Sequence, residues 1–281
     1  MQNEGARPPE KVVRAFGASG DPTPLAGGLA QTAWRFGDTV LKPVGEPNPG
    51  EGDWVADVLD AMHEESFRVI KPVRADDGGW LVDNWTAWRW LEGSHVRGDW
   101  HDVAATADAF HAELVRAAAR AGHQGRPAWL DRREHRWARA ERTVWHGSPL
   151  PPTVNTGALE WSMWERARAL GPPLREPEQT QCQVVHGDIA GNVLIDAAGV
   201  FGFIDMSPGW RTPKSSAVQV LVEAVAWFGA DTTLLDAVDL AEAARACGFR
   251  LLCGLQYIDD WMGRLPEEVA NWERVLTAIG A

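Results

Sequence analysis

Three polar side chains near the middle of this 281-residue chain are spaced for work on a phosphoryl group. Apolar Val184-Val185 leads into the tight turn His186-Gly187-Asp188, and Asn192 lies four residues beyond Asp188. Asp205 closes the next apolar run, Gly202-Phe203-Ile204. An aspartate on such a turn can accept the proton of a hydroxyl, or hold that hydroxyl in line with a γ-phosphorus. Asn192 offers a neutral oxygen and Asp205 an anionic one, a donor set suited to magnesium. Val193-Leu194-Ile195 and the run from Val200 to Ile204 read as strands, with the turn residues Asp196-Ala197-Ala198-Gly199 between them. The resulting hairpin is expected to return Asp205 beside Asn192. A surface turn with incidental Asp and Asn would need four polar identities and two strand patterns to coincide.

Other elements must hold a nucleotide against this centre. Residues up to about 20 are weakly patterned. From Leu25 to Phe36 the sequence reads as a strand, a glycine turn at Gly27-Gly28 and a second strand, and Gly37-Asp38 turns the chain into Thr39-Val40-Leu41-Lys42. Exposed N–H groups at Gly27 and Gly28 could cover phosphates, and Lys42 could reach the α and β phosphates. Asp53 to Met62 has helical spacing, with Val55, Val58, Leu59 and Met62 on one face. Asp53 and Asp57, on a shared face of that helix, are the two candidates to fix Lys42. Residues 80–85 and 86–91 read as two strands with Glu92-Gly93 as their exit, a hinge that would present backbone groups to an adenine, and Trp90 and Leu91 just before it are candidate nucleotide-binding residues. A lobe boundary is expected near residue 92.

Beyond Asp99 the pattern is helical. Val103, Ala107, Phe110, Leu114 and Ala118 form an apolar stripe that Gly122 ends, and His111 beside it is expected to be a packed core histidine. Residues 126–142 read as one amphipathic helix and Ala158 to Leu170 as another. Residues 207–214 read as a rigid loop, Ser215 to Phe228 as a strongly apolar helix, and two or three further helices follow. There is no internal repeat.

Composition excludes several classes. Hydrophobic residues are 45% and charged residues 23%, ordinary for a globular chain, and a net charge of -12 argues against a nucleic-acid partner, which requires a basic surface. Cys182, Cys247 and Cys253 form no Cys-x-x-Cys pair, so neither a disulfide framework nor a zinc site is expected. No basic leader and no apolar run of bilayer length is present, which predicts a cytoplasmic protein without a membrane partner. The sixteen tryptophans are expected mostly in cores.

His186-Gly187-Asp188, Asn192 and Ile204-Asp205-Met206 together resemble the catalytic-loop and metal-binding signature of protein kinases, with His-Gly-Asp for His-Arg-Asp and Ile-Asp-Met for Asp-Phe-Gly. With Val40-Leu41-Lys42, Leu91-Glu92-Gly93 and Phe110-His111, the chain is similar to the aminoglycoside phosphotransferase and choline kinase superfamily. The resemblance implies an α+β, bilobal protein-kinase-like fold, with a small β-rich nucleotide-binding lobe over residues 1–92 and a larger, mainly helical catalytic and acceptor-binding lobe over residues 93–281. It implies Asp188 as catalytic base, Asn192 and Asp205 as magnesium ligands, and Lys42 on the nucleotide phosphates, with Gly27, Gly28, Trp90 and Leu91 lining the nucleotide. The small-lobe helix carries Asp, or Val55 in a rough register, where the family has Glu. Met-Ser-Pro-Gly-Trp-Arg replaces the family's Gly-Asp-Pro-x-x-Asp-Leu tail after Asp205. The implied activity is transfer of the γ-phosphoryl group of ATP or GTP to a hydroxyl of an aminoglycoside, amino sugar, sugar or amino alcohol. A nucleotide-binding pseudokinase without turnover is the competing reading, and a nucleotide-stimulated hydrolase a weaker third. Asp259, Asp260, Glu267 and Glu268, near Tyr257 and Trp261, favour a cationic or neutral small-molecule acceptor. The sequence sets no oligomeric state.

Overall fold

The computed structural model describes residues 7–25, 33–45, 48–256 and 266–281. Among them the strands, in chain order, are β1 (Pro22–Pro24), β2 (Trp34–Phe36), β3 (Thr39–Pro43), β4 (Arg68–Val69), β5 (Trp85–Arg89), β6 (Ser94–His95), β7 (Gln183–His186), β8 (Val193–Ile195), β9 (Phe201–Phe203) and β10 (Pro208–Arg211). The helices are α1 (Glu10–Ala15), α2 (Glu51–Ala61), α3 (Trp100–Arg120), α4 (Trp129–Arg132), α5 (Arg136–His146), α6 (Leu159–Leu170), α7 (Glu176–Gln179), α8 (Pro213–Trp227), α9 (Leu240–Leu255) and α10 (Pro266–Ala278), with a single 3₁₀ turn at Thr232–Leu235. The fold is α+β, with the sheets toward the N-terminus and helices dominating the C-terminal part. The chain divides into two compact units, one of Met1–Ser94, Arg116–Trp129 and Leu194–Asp205, the other of His95–Val115, Leu130–Val193 and Met206–Ala281.

In the first unit a sheet of order β1-β2-β3-β5 is antiparallel throughout, with Trp34 opposite Leu41 and Lys42 opposite Thr86. Gly37, at φ +53°, supplies the left-handed residue that the tight β2–β3 turn needs. Period-2 alternation then sends Leu41 into a core of Val12, Phe16, Phe36, Leu41, Ala75, Trp85 and Ala87, and leaves Lys42 on the opposite face. Val12 and Phe16 in that core come from α1 and its cap. This helix lies in the stretch read as weakly patterned, because six residues are too few to show a 3.6 period.

Residues 80–85, expected as a strand, instead make a two-residue hairpin turn. Asp83 and Asn84 both have positive φ (47° and 63°), and Val82 and Trp85 exchange backbone hydrogen bonds of 3.0 and 2.8 Å across them. Asp-Asn tolerates the left-handed region that such turns require, so the strand begins only at Trp85. A second sheet has the order β4-β9-β8-β6, with β4 parallel to β9. The expected β8–β9 hairpin is present, its turn held by the Asp196 carboxylate accepting the Ala198 and Val200 N–H groups, each at 2.9 Å.

The second unit is built on helices. The α3 stripe is buried at Val103, Ala107, Phe110 and Leu114. Two expectations fail here. Residues 126–142 do not form one helix: α4 ends at Arg132, and His135, in extended conformation, starts α5 as its N-cap, its ring accepting the Ala138 N–H at 3.2 Å. The segment 207–214 is not all loop. Pro208–Arg211 is β10, antiparallel to β7, with Pro208 opposite His186 and Arg211 opposite Gln183. Pro208 stands at the first position of its strand, where a missing N–H is tolerated.

Candidate active site

The turn His186-Gly187-Asp188 hangs from the end of β7. Burial of Val184, Val185 and His186 anchors this strand, and Gly187 begins the turn with its N–H donated to the Ser207 carbonyl at 2.7 Å. The Arg211 guanidinium lies where a Cβ at residue 187 would stand, which is why glycine occupies this position. Asp188 then projects with 39% of its side chain exposed.

Both Asp188 oxygens are engaged within this unit. Oδ1 accepts from Arg250 Nη2 at 2.5 Å, and Oδ2 from Asn192 Nδ2 at 3.1 Å. The same Asn192 amide donates to the Asp188 carbonyl at 2.7 Å, closing the turn. Burial alone would push the Asp188 carboxyl up. The Arg250 charge, His186 and the two side-chain hydrogen bonds outweigh it, and the group is held below the usual carboxylate range. It is therefore an anion at neutral pH, able to orient a hydroxyl and receive its proton.

The residues beneath the turn come mostly from α8, read from the sequence only as apolar. Ser216, Gln219 and Glu223 lie at i, i+3 and i+7, hence on one face, and all three are buried. Ser216 donates to the His186 carbonyl at 2.6 Å, and Gln219 Nε2 to the Gly187 carbonyl at 2.8 Å and to Glu223 Oε1 at 2.5 Å. Glu223 Oε1 also receives Arg250 Nε at 2.6 Å. Arg211 donates to Gln219 and pairs with Glu141 at 3.1 Å. The sequence signal for this ladder is three polar residues at helical spacing inside an otherwise apolar helix. His111 is the core histidine expected: fully buried, with Nε2 accepting the His186 N–H at 3.1 Å. Burial, with the His186 and Arg211 charges, lowers its pKa to about 3, so the ring stays neutral as that bond requires.

In the first unit Lys42 and Asp205 are brought together, Lys42 Nζ pairing with Asp205 Oδ1. Asp205, at φ +52°, is one of few non-glycine residues in the left-handed region, a strained conformation of the kind that collects at functional positions. The expected α2 carboxylate is not the lysine's partner. Asp57 instead accepts Trp80 Nε1 at 2.8 Å and faces His123 at 3.4 Å, because its helix face turns toward those rings, and no bond joins Asp53 to Lys42. Trp90 gives its backbone N–H to the Asp38 carbonyl at 2.8 Å and its indole N–H to Glu92 at 2.6 Å, with Arg35 stacked 3.9 Å from its ring. Leu91 lies against Gly202, where a Cβ would stand 2.7 Å from its Cδ2. Gly27, Gly28, Tyr257, Asp259, Asp260 and Trp261 lie outside the described residues.

The model of the phosphotransferase enzyme family (APH) matches residues 21–208, which include Lys42, Asp188, Asn192 and Asp205. The chain belongs to this family. It is a small-molecule phosphotransferase. No curated protein matches it. Among solved structures it is similar to spectinomycin phosphotransferase APH(9)-Ia in complex with ADP and spectinomycin, at 12% identity over 97% of this chain and 96% of that one (TM-score 0.60). It is also similar to an aminoglycoside phosphotransferase from Alicyclobacillus acidocaldarius subsp. acidocaldarius DSM 446, at 14% identity over 99% and 96% (TM-score 0.58). Choline kinase LicA from Streptococcus pneumoniae matches at 10% identity over 96% of each chain (TM-score 0.52). At these identities the likeness is one of fold: this phosphotransferase has the kinase-like architecture that its catalytic motifs implied.

Each of the two residues expected to ligate magnesium carries, within its own unit, an oxygen of the kind a hard cation takes. Asn192 spends its amide protons on Asp188 and leaves its carbonyl oxygen as the group to ligate. Asp205 is a half-exposed carboxylate with Oδ2 beyond its bond to Lys42. No cluster of three or more His, Cys, Asp or Glu side chains that could cage a metal exists among the described residues. No described helix is long and apolar enough to cross a membrane.

Proposed function

We propose that this phosphotransferase moves the γ-phosphoryl group of ATP or GTP to a hydroxyl of a small, cationic or neutral polar acceptor. The observation that carries the proposal is the Asp188 carboxylate: ionised, fixed at both oxygens by Arg250 and Asn192, and still open over 39% of its side chain. A hydroxyl hydrogen-bonded there is oriented for attack, and its proton passes to the carboxylate as the phosphoryl group transfers. Lys42 is assigned to the nucleotide phosphates, Asn192 and Asp205 to magnesium, and Trp90 and Leu91, with Gly27 and Gly28, to the rest of the nucleotide. The chemistry that magnesium supplies when bound is neutralisation of the phosphate oxygens. Most of the rate enhancement then comes from alignment and charge placement rather than from covalent catalysis.

Side chains of the same unit, reached from Asp188 through Arg250, support the acceptor class. Arg250, bonded to Asp188, lies 4.8 Å from the ring centre of Trp227, which is 37% exposed. Trp227 meets Trp272 edge-on at 5.8 Å, and burial pushes the Glu268 carboxyl up while these two indoles favour its charged form. Glu160 adds a second negative charge against Glu268. An aromatic and acidic wall favours a cationic or neutral hydroxylated molecule and disfavours an anion. The acceptors named for two structural neighbours, spectinomycin and choline, are of that kind.

The test is acceptor-dependent release of ADP or GDP across amino sugars, neutral sugars and amino alcohols, with phosphorylated product identified by mass. Turnover with at least one cationic or neutral acceptor is expected. Nucleotide binding without product would instead establish the pseudokinase reading, and acceptor-independent release the hydrolase reading.

A further inference from the structure

We propose that Arg250, on α9, is a positioning residue for catalysis: it sets the orientation of the Asp188 carboxylate and is itself aimed by Glu223 of α8. The proposal rests on the assignment of Asp188 as the group that receives the acceptor proton. Arg250 has 7% of its side chain exposed and Glu223 none. The guanidinium divides its edges, Nη2 to Asp188 Oδ1 at 2.5 Å and Nε to Glu223 Oε1 at 2.6 Å, and the Trp227 and Phe249 rings lie 4.8 and 5.0 Å from its central carbon. Burial would lower the pKa of Arg250, but the two carboxylates outweigh it and keep the charge in place.

A structural ion pair would have no need to end on the one carboxylate placed for chemistry. Here the guanidinium holds Oδ1 and the Asn192 amide holds Oδ2, so the half-open carboxylate is fixed in orientation and meets a hydroxyl through a remaining lone pair. Gln219 links this aim to the backbone of the turn, since its amide bonds both Glu223 Oε1 and the Gly187 carbonyl. The side chain and the main chain of the catalytic turn are thus referenced to the same helix face. Near-attack geometry is sensitive to displacements of about 1 Å, which cost on the order of 100-fold in rate.

The experiment compares Arg250→Met, Arg250→Lys and the double variant Arg250→Met/Glu223→Gln with the parent. The double variant removes the buried charge that the single change would strand. For variants that unfold cooperatively, kcat is expected to fall about 100-fold with the KM values for nucleotide and acceptor within about 2-fold, and Lys to restore part of kcat. The decisive arm places Arg250→Met/Glu223→Gln in an Asp188→Asn background. If Arg250 acts through Asp188, the added changes leave the residual rate of Asp188→Asn within about 3-fold. A further loss as large as that in the parent, or a parent loss confined to KM, overturns the positioning role. An Asp188→Asn protein with nearly full activity overturns the proposed function instead, so the two failures are distinguishable.

Discussion

At the scale of single residues, Asp188 and Lys42 are predicted to fail in different ways. Asp188→Asn keeps the shape and an oxygen for Arg250, but removes the charge proposed to receive the proton. Its kcat is expected to fall about 10²–10⁴-fold while nucleotide affinity, read by calorimetry, stays within about 2-fold. Retention of more than a tenth of parental kcat would refute the assignment. Lys42→Ala is expected to raise the nucleotide KM as well as lower kcat, because the lost group is the one proposed to meet phosphate oxygens before and during transfer. Its own bond is a half-exposed ion pair with Asp205, so urea unfolding should show less than about 1 kcal/mol of destabilisation. The turn that bonds Asp188 to Asn192 and the strand place of Lys42 were legible in the sequence because their signals are local: an aspartate and an asparagine four apart on one turn, and a lysine near the end of a strand. Arg250 was not legible, since its partner Asp188 is 62 positions away in the chain and no spacing rule links them.

At the scale of elements, α8 carries the clearest difference between pattern and structure. An apolar helix of this length reads as core, and most of it is, but Ser216, Gln219 and Glu223 form a buried polar stripe that binds the catalytic turn. Buried polar groups persist only when bonded, so the stripe itself was the available sign that α8 lies against something specific. The break between α4 and α5 was hidden for the opposite reason. The segment keeps a helical apolar period on both sides, and only the choice of His135 as N-cap, with Arg133 turned to the Pro208 carbonyl, ends the first helix. Gln219→Leu removes the donor to the Gly187 carbonyl and one of two donors to Glu223. It is expected to destabilise by about 1–3 kcal/mol in denaturant unfolding and to lower kcat more than either KM. Gln219→Glu should be worse than Leu, because it sets a second carboxylate against a buried one. Equal stability of parent and Leu variant would show that α8 does not hold the turn.

At the scale of the whole molecule, pH is the variable that separates these contributions. His111 and His135 are held neutral in the fold, with pKa values lowered to about 3 and about 4, first by burial and then by neighbouring positive charge. In the unfolded chain each titrates near 6.5. As pH falls through 6.5 the unfolded state takes up these protons and the folded state does not, so stability is present in full above 6.5 and declines toward pH 4. The slope is about 1.4 kcal/mol per pH unit for each histidine. Glu223, Glu268 and Asp108, whose carboxyls burial raises, act with the opposite sign, and relief of repulsion in a chain of net charge -12 adds to theirs. The absolute curve is therefore a sum, and a difference between two proteins isolates one histidine from it. His111→Gln keeps an acceptor for the His186 N–H without a titrating ring. Urea unfolding of parent and variant at steps from pH 7.5 to 4.5 should give curves that run parallel above about 7 and converge below 6.5 by about 1.4 kcal/mol per pH unit, the parent losing the faster. Curves that stay parallel down to pH 4.5 would mean that His111 takes up a proton in the fold, and the His111–His186 bond that fixes the base of the catalytic turn would then have to be redrawn.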